Sequence, residues 1–147
     1  MFLLYWLFIK CVDPRIKARK SAELTYCNPE TRTIYLGEEI RHEGDLFGFL
    51  RHIEEWHFFN PFRLMHIENY PFAMWAILHE IGHIALHPQE FSNGLVIAAL
   101  ASDMEDPNVQ DWYYNTDREY EATEWALDWI EAHPRKAKFF EGVLSNV

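Results

Sequence analysis

Between Pro71 and Leu86 the chain shows almost no polar face: Phe72, Ala73, Met74, Trp75, Ala76, Ile77, Leu78, Ile81, Ile84, Ala85 and Leu86 crowd the segment. A single helical stripe does not hold so many apolar side chains, so the pattern reads as a helix buried nearly all round. Pro71 suits a first helical turn, where its missing N–H is no loss, and Pro88 disfavours helical backbone at His87. The helix is expected over 71–86.

Other elements follow from punctuation. Residues 22–27 and 32–36 are runs rich in β-branched and aromatic side chains, separated by Asn28-Pro29-Glu30-Thr31, which predicts a hairpin. Asp45 can cap a helix over 46–59 that Asn60-Pro61 stops, and Asn93 can open one over 94–102. Thr116-x-x-Glu119 has the form of a capping box and predicts a helix reaching Ala132, with Ala122, Trp125, Ala126, Trp129 and Ile130 as its apolar face. Pro134 separates or kinks a last helix. Phe2 to Ile9 is a run of eight apolar residues, far short of the roughly 20 that span a bilayer. It reads as a buried strand or a short core helix, with a partner surface as the other use. The expected class is α+β, an N-terminal hairpin followed by a mainly helical part, in a single domain over 1–147.

Composition narrows the function classes. Hydrophobic residues make up 49% and aromatic ones 16%, too many for a disordered chain. The formal net charge of −10 is local: residues 101–131 hold ten acids and only Arg118. The one basic cluster, Lys10 to Lys20, is small, so no direct nucleic-acid binding is expected. Cys11 and Cys27 are too few for a disulfide framework and read as free thiols. The start has neither a basic flank nor a small-residue cleavage site, so a cytoplasmic protein with no membrane partner is expected.

Into the apolar 71–86 helix are set His79, Glu80 and His83. Buried ionisable groups cost several kcal/mol unless they are paired or bind a metal. The spacing is His-Glu-x-x-His, which puts two imidazoles one turn apart on one face, able to converge on one zinc ion. Glu80 falls about 100° round the helix, where it can meet a water rather than the ion. The plain alternative is a pair of hydrogen-bonded core histidines. A catalytic site needs a third protein ligand and an open position. His87 is too far along the axis, at about 12 Å from His79. A histidine at position 89 would complete the long-spacer zincin pattern, but that residue is Gln89. A carboxylate from the helix ending at Ala132 remains, and periodicity leaves Glu119 and Glu121 both open.

His79-Glu-Ile-Gly-His-Ile-Ala-Leu-His-Pro88, followed by Glu119-Tyr-Glu-Ala-Thr-Glu-Trp-Ala126, resembles the ImmA/IrrE-type metallopeptidases. The likeness covers about a third of the chain, from Ala76 to Ala126. It implies a zincin-like fold, one zinc held by His79, His83 and Glu121, and Glu80 as general base. It further implies a protein substrate, typically a helix-turn-helix repressor of a phage, mobile element or stress response. Thr123 stands where the family has Asn, Trp125 where it has Phe, and Asp128 interrupts an apolar pair.

Two rivals belong beside this reading. Glu54-x-x-His57 repeats the spacing of Glu80-x-x-His83, as in di-iron bundles, but Pro61, Pro71, Pro88, Pro107 and Pro134 break up the long helices such bundles need. A non-catalytic protein could instead bind a regulator, as an anti-repressor, through its acidic C-terminal half. If the chain is a peptidase, Thr33 to Leu36 is the expected sheet edge for an extended substrate, and Tyr113, Tyr114 and His66 are candidate oxyanion donors.

Overall fold

The computed structural model describes residues 2–41, 70–86 and 117–145, with side chains in the last stretch from 121 onward. The helices expected over 46–59 and 94–102 lie outside the described residues. So do Thr116, Glu54, His57, His66, His87, Tyr113 and Tyr114.

In chain order come α1 (Phe2–Val12), β1 (Lys17–Lys20), β2 (Tyr26–Asn28), β3 (Thr33–Leu36), a 3-10 helix (Glu38–Arg41), α2 (Phe72–Leu86), α3 (Asp117–Ala132) and α4 (Pro134–Leu144). The described part is α+β, as the pattern predicts. No helix among the described residues is long and apolar enough to cross a membrane.

β2 and β3 form the expected antiparallel hairpin, with Asn28 opposite Thr33 and Tyr26 opposite Tyr35. Asn28 Oδ1 accepts from the backbone N–H of Glu30 and Thr31, and Arg32 takes a left-handed φ of 54°, which closes the four-residue connection. Residues 22–25 do not pair as strand. They run beside the 3-10 helix, where the Thr25 N–H donates to Glu39 Oε1 at 2.6 Å and the Glu39 N–H to the Glu23 carbonyl at 3.0 Å.

One expectation is overturned here. Thr33 to Leu36 is not a sheet edge. β1 pairs with β3 in parallel, Lys17 opposite Thr33 and Lys20 opposite Leu36, so the strand order is β1-β3-β2 and β3 is central. Lys-Ala-Arg-Lys lacks the apolar alternation that marks a strand; its backbone makes the ladder while Lys17, Arg19 and Lys20 stay exposed. Exposed cations on an edge strand discourage further pairing, which fits β1 as an outer strand.

The N-terminal apolar run is a helix with only one face buried, by Tyr5, Phe8 and Ile9 at the i, i+3, i+4 spacing. Phe8 packs at 4.9 Å against Phe140 of α4 and at 5.9 Å, edge-on, against Trp129 of α3. Leu3, Trp6 and Leu7 remain exposed on the opposite face. Pro14 ends the helix by disfavouring helical backbone at Asp13. Cys11 is half-buried and Cys27 buried, and neither is in a disulfide, as expected.

Asp13 ties this junction to the hairpin. Its carboxylate accepts from the backbone N–H and Nε of Arg15, at 3.0 and 3.1 Å, and from Nη2 of Arg32 at 2.6 Å. The hydrogen bonds from Arg15 hold the Asp13 carboxyl below the usual range. A carboxyl depressed in the folded state stabilises the fold above its unfolded pKa of about 3.9, and that contribution is lost as pH falls through the lower folded value. Asp13→Asn should therefore cost about 1 kcal/mol near neutrality and nothing at strongly acid pH. Urea unfolding of both proteins at the two pH values checks this; an equal loss at both would remove the electrostatic account.

α2 is the centre of the structure. It contacts β2, β3, the 3-10 helix, α3 and α4, which is why its sequence carries so little polarity. Trp75, Met74, Ile77 and Leu78 are fully buried; Phe72, Ala76, His79 and Glu80 are half-buried, and the helix becomes exposed at Ala85 and Leu86. α3 packs on α2 and carries its own buried arc of Ala122, Thr123, Ala126, Leu127, Trp129 and Ile130. The expected apolar face thus gains Thr123 and Leu127, while Trp125 is half-buried. α4 begins at Pro134 in its first turn, as expected.

Candidate functional site

Two contacts join α2 to α3 where the helices cross, Gly82 with Ala122 and His79 with Thr123. Gly82 sits between the two histidines. A Cβ built there would lie 2.8 Å from the carbonyl oxygen of Ala122 and 3.0 Å from its Cα, both backbone atoms. Only glycine lets α3 come so close. This approach sets the depth at which Thr123 reaches His79.

His83 is buried, at 7% exposure, and His79 is half-buried. Their rings meet edge to face, with centroids 4.8 Å apart and planes at 89°. Their Nε2 atoms are 3.2 Å apart. Two nitrogens on a tetrahedral zinc at bonds of about 2.0–2.1 Å stand roughly 3.3–3.4 Å from each other. The pair therefore has close to the separation that the ion would require.

The other nitrogen of His79, Nδ1, lies 3.0 Å from Oγ1 of Thr123, a completely buried threonine of α3. A hydrogen-bonding group behind the ring is what orients a metal-binding imidazole. Glu80 is half-buried on the next position of α2. Glu121 is exposed, one residue before Ala122. Among the described residues no group of three His, Cys, Asp or Glu gathers in a metal-holding arrangement. The structure thus brings His79 and His83 together and does not gather Glu121 with them into such a group.

Gly82 and Thr123 shape this geometry and escape a reading of the motif alone. Both leave a trace in the sequence. A glycine inside an otherwise apolar helix costs about 1 kcal/mol relative to alanine, so it signals a packing demand. Thr123 is a polar member of the stripe that continues through Leu127 and Ile130.

No family model matches the chain, and no curated protein or solved structure matches it either.

Proposed function

We propose that the chain is a zinc-dependent endopeptidase of zincin-like fold, acting in the cytoplasm on a regulatory protein such as a helix-turn-helix repressor. The observation that carries this reading is the His79–His83 pair. Its Nε2 atoms stand at a tetrahedral-edge separation, and the far nitrogen of His79 is engaged by a buried hydroxyl.

In this reading His79, His83 and a glutamate of α3 hold one zinc. When bound, zinc supplies Lewis acidity to the scissile carbonyl and makes water nucleophilic near neutral pH. Glu80 accepts the proton of the attacking water and delivers it to the leaving amine. An extended substrate would add at an outer strand of the sheet; β2 is the outer strand that packs on α2.

The resemblance names Glu121 as the third ligand. Periodicity of the sequence leaves Glu119, two residues earlier on α3, as the other acid open to this role. Metal analysis of the wild type beside Glu121→Ala and Glu119→Ala decides between them. About one zinc per chain is expected, lost in one variant and kept in the other. Two irons per chain would favour the di-iron rival, and no tightly held metal would overturn the peptidase reading.

A further inference from the structure

We propose that Thr123 is a positioning residue that fixes the tautomer of His79, an inference that rests on the zinc reading of the histidine pair. Thr123 Oγ1 is completely buried and lies 3.0 Å from His79 Nδ1. A threonine inside a helix commonly gives its hydroxyl hydrogen to the carbonyl one turn back, which leaves the oxygen as an acceptor. His79 then donates through Nδ1–H, and its Nε2 carries the lone pair.

The other side of the ring is compatible with that assignment. Two Nε2 atoms 3.2 Å apart share at most one proton between them. With the His79 proton held on Nδ1 by Thr123, that shared proton is on His83 and points at the His79 lone pair. Metal entry then displaces one proton, from His83, and needs no rearrangement of His79. With the opposite tautomer, His79 would present N–H where a ligand atom is needed.

Position matters as well as chemistry. Thr123 is the neighbour of Ala122, whose backbone abuts Gly82, so the hydroxyl is held by a helix crossing rather than by a loop.

The test uses the full chain with isotope-labelled histidine, stripped of metal by a chelator. Long-range proton–nitrogen correlation reports the tautomer of each ring directly. Wild-type His79 should be the Nδ1–H form. Thr123→Val, nearly the same in shape, should move His79 toward a mixture of forms while circular dichroism stays unchanged. Zinc affinity, titrated against a competing chelator, should fall about 10–100-fold. Thr123→Ser, which restores the hydroxyl, should recover both. An unchanged tautomer in Thr123→Val, or an Nε2–H form in the wild type, overturns the proposal. If the wild type takes up no zinc yet His79 keeps the Nδ1–H form in a Thr123-dependent way, the tautomer assignment stands and the peptidase reading falls. If zinc binds and Thr123→Val changes neither readout, the reverse holds.

Discussion

Glu80→Gln is expected to abolish cleavage of peptide bonds while leaving zinc content at the wild-type level. Glutamine matches glutamate in size and keeps a hydrogen-bonding oxygen, but it takes no proton from water at neutral pH. General-base catalysis typically contributes about 10²–10⁴-fold, which is roughly 3–5 kcal/mol of barrier. Glu80 is not one of the proposed ligands, so the metal should remain. The measurement is digestion of a peptide library read by mass spectrometry, with metal analysis on the same samples. This variant also separates the peptidase from its non-catalytic rival. A docking protein or anti-repressor would keep its biological effect in the Glu80→Gln variant, and that result would end the enzymatic reading.

Gly82→Ala is expected to destabilise the fold although alanine is the better helix former. The added methyl would meet backbone atoms of Ala122 at 2.8 and 3.0 Å, and backbone does not yield as a flexible side chain does. Overpacking of this kind costs about 1–3 kcal/mol, here toward the upper end, against a helix-propensity gain of about 1. The net loss should be about 2 kcal/mol. Gly142 provides the control, because a methyl there meets nothing within 4 Å. Gly142→Ala should stabilise by about 0.5–1 kcal/mol. Denaturant unfolding of the two variants should therefore shift in opposite directions. A Gly82→Ala protein as stable as the wild type would mean that α2 and α3 do not cross this closely.

The two elements of the site were unequally legible. α2 was readable because its polarity is so low and because two prolines bracket it. The helix lies at the centre, so periodicity and burial agree. The histidine pair was readable because i and i+4 share a face whatever the rest of the chain does. β1 was not, because Lys-Ala-Arg-Lys has no apolar alternation and takes its place through the backbone ladder to β3. That one missed strand turned β3 from an edge into the middle of the sheet. Thr123 was visible as a polar member of an apolar stripe and as a departure from a motif, neither of which names its partner. Its role depends on which face of α3 meets His79, and that follows from the glycine at the crossing rather than from periodicity alone.

The partners of the site lie at very different distances along the chain. His79 and His83 are four residues apart and come together as soon as α2 is helical, but Thr123 is 44 residues beyond His79. Closing a loop of that length costs about 3 kcal/mol of chain entropy before any contact is returned. The imidazole pair is thus a local structure, whereas its orientation belongs to the docking of α3. A partial opening that lifts α3 away would leave α2 helical and its histidines adjacent but no longer held in one tautomer. His79 is in this sense a built-in gauge of tertiary order: its ring reports whether the two halves of the crossing are engaged, even when the helix content of the protein has not changed.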